Sequence, residues 1–257
     1  MKKVLWKTSQ IIVYIFKSHK YILPALIILT ITGTSCTKLK ICCLGDSVTQ
    51  GTVGFDKLPR INSYRYPLWV MLDSAGYKVD LVGSTNLLFK EDPRNRVTYP
   101  KSPYTGRQFD PDHEGHFGWT TGDILDSLPC WLQDYKPDIV LIHLGNNDVS
   151  AKVDSAQIAN NLKRIIWILR LKNPEVKIVL AQLMTVWCKA VNNAVPFIAK
   201  EMSTGKSPVV VADMATGFIN NPELPGTLTY DWAHPNEKGE KWMAKRWFHA
   251  LKPFIGK

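Results

Sequence analysis

Three short stretches of the chain hold side chains that could act together on a substrate. The first is Leu44-Gly45-Asp46-Ser47-Val48-Thr49-Gln50-Gly51, where a serine directly follows an apolar run. A serine just past a buried strand is held at the carboxyl edge of a sheet, and flanking glycines let backbone approach a ligand. A free hydroxyl is a weak nucleophile, so Ser47 means little without a base. Tyr230-Asp231-Trp232-Ala233-His234-Pro235-Asn236 offers one near the other end. An Asp three residues before a His reaches the ring Nδ1 from the same turn. It fixes the tautomer and leaves Nε2 free to take the serine proton. The third stretch is Leu141-Ile142-His143-Leu144-Gly145, opening into Asn146-Asn147-Asp148. An Asn side chain at the carboxyl end of a strand is a suitable donor to a developing oxyanion.

Other reactive side chains read more plainly. Asp110, Asp112, His113, Glu114 and His116 are metal-ligand types, but they form no His-Glu-x-x-His helix and read as solvated loop charges. No metal and no cofactor is expected. His143 stands in an apolar run and reads as a hydrogen-bonded core histidine. Trp119, Trp187, Trp232 and Tyr104 are aromatics able to stack on a sugar face. Trp119 and Trp232 are the candidate substrate contacts, because they flank the candidate catalytic stretches.

Positioning these residues needs a sheet with one common edge. Leu39–Leu44, Lys78–Val82, Asp138–Leu144, Val176–Leu183 and Val209–Ala212 are short Val, Ile and Leu runs without clean alternation, as expected of strands buried on both faces. Amphipathic helices separate them. One carries Leu68, Met71, Leu72 and Ala75 and stops at Gly76. Another carries Ile158, Leu162, Ile165, Ile166 and Leu169 and ends before Pro174. A last one carries Trp242, Met243, Trp247, Phe248 and Leu251. The alternation predicts an α/β fold, a doubly wound parallel five-stranded sheet sandwiched by helices, with ligands at the carboxyl ends of the strands. Between Thr85 and Phe117 no periodic element is legible, and that polar stretch reads as a substrate-facing loop.

Composition narrows the class. A chain of 257 residues with 45% hydrophobic content suits one domain and one core. Its formal charge of +10 is uneven, because residues 1–35 hold five lysines and no acid. No long basic run or aromatic–basic repeat follows, which argues against nucleic acid as a partner. Residues 1–36 read as a separate segment: a basic start, the apolar run Tyr21–Thr32, then Gly33-Thr34-Ser35-Cys36. This is the pattern of an export signal, and its apolar run falls short of the roughly 20 residues that span a bilayer. Cys36 resembles a bacterial lipoprotein cleavage site, although Gly33 stands where Leu is usual. An uncleaved N-terminal anchor is the competing reading. Residues 37–257 are the expected folded domain, working outside the cytoplasm and touching a membrane only through the N-terminal segment. Cys42, Cys43, Cys130 and Cys188 lack zinc-site spacing; Cys42 and Cys43 read as buried apolar residues.

Gly45-Asp46-Ser47, a glycine in a helix-leading loop, Gly145-x-Asn147-Asp148 and Asp231-x-x-His234 resemble, in this order, the four blocks of the SGNH (GDSL-like) hydrolases over residues 38–252. The resemblance implies Ser47 as nucleophile with Asp231 and His234 completing its triad. It also implies an oxyanion hole of the Ser47 N–H, the Gly118 N–H and Asn147, with Gly145 and Asp148 supporting the loop. A narrower likeness, to acetylxylan esterases of carbohydrate esterase family three, rests on Tyr64-Arg65, Val82-Gly83-Ser84 and Asp112-His113-Glu114-Gly115-His116 with Gly118-Trp119. There Phe117 departs from the usual Ser. The implied activity is removal of acetyl or other short acyl groups from oligo- or polysaccharide. Two rivals stand beside it: a lipase, lysophospholipase or thioesterase acting on longer acyl chains, and a catalytically silent envelope glycan-binding protein.

Overall fold

The computed structural model describes residues 38–255. Residues 1–36, read from the sequence as an export signal or anchor, lie outside the described residues, and no helix among the described residues is long and apolar enough to cross a membrane.

The strands are β1 (Leu39–Gly45), β2 (Val79–Val82), β3 (Glu114–Gly115), β4 (Ile139–His143), β5 (Lys177–Ala181) and β6 (Val209–Ala212). They pair in parallel in the order β2-β1-β4-β5-β6, and the two-residue β3 pairs with the end of β1. The five runs expected from the sequence make the main path. The sixth strand comes from the stretch where no element was expected.

Along each strand successive side chains enter opposite layers, which is why the runs show no polar face. Cys42, Leu44, Val140 and Ile142 pack with the helices α3 (Thr121–Trp131), α5 (Ser155–Lys172) and α6 (Lys189–Met202). Ile41, Cys43, Ile139 and Leu141 pack against α2 (Arg65–Ser74) and α7 (Glu237–Leu251). Each fully buried Leu or Ile contributes about 1.5–3 kcal/mol, so both layers depend on continuous apolar runs. The four described cysteines are free, with Cys130 exposed and the other three buried.

The caps are local and polar. The Asp154 carboxylate accepts from the Ala156 N–H to start α5, and Asn236 accepts from the N–H groups of Lys238 and Gly239 to start α7. Among the described residues, α3 and α6 carry an internal proline, Pro129 and Pro196. Pro196 cannot donate to the Asn192 carbonyl four residues back. That carbonyl instead accepts from Gln182 Nε2 at 3.0 Å. The helix therefore continues where the sequence signals a break.

The chain passes from β1 to β2 on one side and later to β4 on the other. The strand order thus reverses between β1 and β4, where such sheets open a crevice at their carboxyl ends. Here the two strands approach so closely that a Cβ on Gly45 would lie 2.4 Å from the His143 carbonyl oxygen. Two more helices begin at this crevice: α1 (Ser47–Gln50) after β1 and α4 (Asn146–Ser150) after β4.

Candidate active site

Ser47 is the first residue of α1. The Asp46 carboxylate caps that helix by accepting from the Val48 N–H at 3.0 Å. Asp46 is buried and its other oxygen has no protein partner. Burial raises its pKa to about 6, against the lowering effect of the Val48 N–H and His234.

The Asp231–His234 turn comes over this serine from the far end of the chain. His234 Nε2 lies 3.0 Å from Ser47 Oγ, and His234 Nδ1 lies 2.8 Å from Asp231 Oδ2. The other Asp231 oxygen accepts from the backbone N–H of His234 at 2.7 Å and of Ala233 at 3.2 Å. One carboxylate thus shapes the turn and orients the ring. Burial pushes the Asp231 pKa up, but the hydrogen bond and charge of His234 outweigh it and hold the group below the usual carboxylate range. Trp232, inside this turn, adopts φ of 74° and is 40% exposed.

Asn147, in the first turn of α4, donates from Nδ2 to the Trp119 carbonyl at 2.8 Å. That bond ties the end of β4 to the loop carrying Gly118, and the second amide proton stays available. Gly118 has φ of 81° with open space on its Cβ side, a conformation that favours glycine. Among the described residues, the N–H groups of Ser47 and Gly118 have no protein acceptor. Asp148 is buried beneath, accepting from the Thr121 N–H at 2.9 Å, which joins α4 to α3.

Of the cluster read as solvated loop charges, His113 and Glu114 are buried instead, Asp110, Asp112 and His116 are half-buried, and Glu114 forms a brace. Glu114 accepts from the Ser84 N–H at 2.9 Å, Ser84 Oγ at 2.5 Å, Tyr135 OH at 2.5 Å and His116 Nε2 at 2.7 Å. The His116 ring lies between Trp119 (4.6 Å between centroids) and Trp131 (4.3 Å), so Trp119 is half-buried in a stack behind the Gly118 loop. Buried His113 accepts from the Gly115 N–H at Nδ1 (3.0 Å) and faces the Leu87 carbonyl at Nε2 (3.2 Å). No three ligand-type side chains converge for a metal among the described residues. His143 also differs from expectation: it is buried, but neither ring nitrogen has a partner, and burial lowers its pKa to about 4.

Two groupings escaped the sequence reading. Asn146 Oδ1 accepts from Thr185 Oγ1 at 2.8 Å and Trp187 Nε1 at 3.0 Å, which fixes Trp187 beside the end of β4. Phe89 and Phe117 stack at 4.1 Å, and the Phe117 ring lies parallel to the His234 imidazole at 5.7 Å. The stretch read as polar therefore presents an aromatic ring, Phe117 backed by Phe89, to His234. Phe117, already visible as a departure from the acetylxylan-esterase pattern, was the available signal. A cavity of about 300 Å³ among Gly226, Thr227, Tyr230 and Asn236 is lined by neither Ser47 nor His234.

The profile of the GDSL-like Lipase/Acylhydrolase family matches residues 43–242. The chain belongs to this family. It is a carboxylic ester hydrolase with the α/β fold of the SGNH hydrolases. This GDSL-like chain is similar to a carbohydrate esterase family 3 protein of Talaromyces cellulolyticus, at 33% identity over 84% of this chain and 98% of that one, with a TM-score of 0.69. It is also similar to an acetyl esterase variant solved with an acetate ion, at 34% identity over 84% and 98%, with a TM-score of 0.68. A multidomain esterase of Ruminococcus flavefaciens is 25% identical over 84% of this chain, which spans only 29% of that protein's length.

Proposed function

We propose that the chain removes acetyl or other short acyl groups from carbohydrate through an acyl-enzyme on Ser47. The observation that carries this reading is the unbroken line from Asp231 through His234 to Ser47, with spacings of 2.8 and 3.0 Å. His234 Nε2 takes the proton from Ser47 Oγ as the oxygen attacks the ester carbonyl. Asp231 holds the Nδ1–H tautomer and stabilises the imidazolium. The oxyanion is met by the N–H groups of Ser47 and Gly118 and by Asn147 Nδ2, whose worth lies in being fixed before charge develops. His234 then protonates the departing alcohol, and a water activated by the same ring hydrolyses the acyl-enzyme. Trp119, stacked on His116, positions the Gly118 loop, and exposed Trp232 is left to meet substrate.

Likeness to carbohydrate and acetyl esterases at 33–34% identity favours acetylated oligo- or polysaccharide as substrate. An extracytoplasmic site of action fits such polymers, with residues 1–36 as export signal or anchor and 37–257 as the catalytic domain. Intact mass of the mature chain tests this: cleavage before Cys36 or a lipid mass on it supports export, and an unmodified cytosolic chain starting at Met1 contradicts it.

The chemistry is tested by serine-directed fluorophosphonate labelling together with a p-nitrophenyl ester series of rising acyl length. Labelling lost in Ser47→Ala, with acetate preferred, is expected. A preference for octanoate would favour the lipase reading, and absence of labelling would favour a silent binding protein.

A further inference from the structure

We propose that the rings of Phe55, Phe89 and Phe117, with the ammonium of Lys90, form the subsite for the leaving alcohol, and that it takes a sugar unit bearing a carboxylate, such as a uronosyl residue. This rests on the Ser47–His234–Asp231 reading and adds the alcohol side of the substrate to it.

The side of the site follows from proton transfer. The alcohol oxygen receives its proton from His234 Nε2 as it departs, so the sugar that carries this oxygen lies on the His234 side of Ser47. Phe117 is the ring that flanks His234 there, at 5.7 Å and 11° from parallel. Phe89 continues the stack at 4.1 Å, and Phe55 meets both rings edge-on at 5.4 and 5.7 Å. A pyranose presents a flat C–H face that packs on such rings. Phe55 is 43% exposed, so the platform is open on the outside.

The platform is fastened to the nucleophile helix rather than left on free loops. Gln50, the last residue of α1, accepts from the Phe117 N–H at 2.7 Å and donates to the Leu87 carbonyl at 3.2 Å. The Phe89 N–H donates to the Gly51 carbonyl at 3.1 Å, and its carbonyl accepts from the Val53 N–H at 3.2 Å. Phe55 sits on a tight turn closed by paired backbone bonds with Leu58. The rings thus keep their place relative to Ser47 before a ligand arrives, which lowers the cost of ordering on binding.

Lys90 supplies the charge. Its backbone has φ of 65°, and its Nζ lies 5.2 Å from the Phe89 centroid and 5.8 Å from that of Phe55. No carboxylate pairs with it among the described residues. Nearby acids are already engaged. The Glu91 oxygens accept from the N–H groups of Leu88 (2.7 Å) and Val97 (2.5 Å), and Asp92 pairs with Arg94. Across residues 52–62 and 85–101, Lys57, Arg60, Lys90, Arg94, Arg96 and Lys101 outnumber Asp56, Glu91 and Asp92 by six to three. An alcohol both flat and anionic satisfies the rings and the ammonium together, whereas a neutral sugar satisfies only the rings.

The test is binding to the full chain carrying Ser47→Ala, by calorimetry at low ionic strength, of two acetylated xylo-oligosaccharides, one neutral and one bearing a glucuronosyl side group. The acidic ligand is expected to bind about two- to fivefold tighter, the range of an exposed charge pair. Adding Lys90→Gln or raising the salt should erase that preference, Lys90→Arg should keep it, and Phe55→Ala should weaken both ligands alike. Equal binding of the two ligands, a preference that survives Lys90→Gln, or no binding of either overturns the proposal. Hydrolysis of p-nitrophenyl acetate by the Ser47 chain separately reports on the esterase reading, so the two can fail independently.

Discussion

Glu114→Gln tests the claim that a buried carboxylate, not the surface loop, holds the Gly118 segment in place. Each Glu114 oxygen accepts from two donors: Ser84 Oγ and His116 Nε2 on one, the Ser84 N–H and Tyr135 OH on the other. An amide keeps only one oxygen, so two donors lose their acceptor and face an NH₂ group instead. Hydrogen bonds to a charged group are worth about 1.5–3 kcal/mol each, and breaking a buried charged cluster costs about 3–5 kcal/mol in total. For a domain of this size that corresponds to a fall in Tm of about 6–20 °C. His116 would lose its anchor between Trp119 and Trp131, so kcat on p-nitrophenyl acetate should fall more than KM rises. Tyr135→Phe, which removes a single donor, should cost about half as much or less. Calorimetric melting beside steady-state kinetics reads both effects. A Glu114→Gln protein that melts within about 2 °C of wild type with unchanged kcat would refute the reasoning, because the two lost bonds would then carry no net energy.

Asp231→Asn would place an amide donor at His234 Nδ1 and leave the proton on Nε2; kcat should fall by about 10²–10⁴ while Tm changes little. Asn147→Ala should lower kcat by about 10²–10³ through the lost oxyanion donor, and stopped-flow acylation kinetics would locate the loss in acyl transfer. His143 gives a pH dependence. The unfolded ring takes a proton as pH falls through about 6.5, whereas the buried ring resists until about 4. Wild type should therefore lose roughly 3 kcal/mol over that window relative to His143→Leu. Urea unfolding at pH 7 and pH 4.5 checks it, and parallel losses in both proteins would contradict the assignment.

The five main strands were legible because both faces of each are buried, which leaves apolar runs such as Ile139–Ile142. The helices α2, α5 and α7 were legible from their single apolar stripes. α3 and α6 were not expected from the sequence; each carries an internal proline, Pro129 and Pro196, a residue type that ordinarily interrupts a helix. The capping box of Thr120 and Asp123 and the bond from Gln182 that relieves Pro196 act through partners that periodicity does not record. The region from Thr85 to Phe117 escaped for a similar reason. It is held by side chain–backbone bonds, such as Arg65 to the Pro111 carbonyl at 2.6 Å, rather than by a repeating pattern. At the site, Ser47, Asp231, His234 and Asn147 stood out because their chemistry is carried by residue type and local spacing. Glu114, Gln50 and Phe89 did not, because their roles depend on which backbone groups they meet after folding.

The most direct test of the central claim is acetate release from p-nitrophenyl acetate and from acetylated xylan by the full chain, beside Ser47→Ala. Release from both substrates that vanishes with the serine hydroxyl, at unchanged melting temperature, is the expected result. Release that persists in Ser47→Ala would contradict Ser47 as nucleophile, and no release from either substrate by the unaltered chain would contradict the acetyl-esterase account itself.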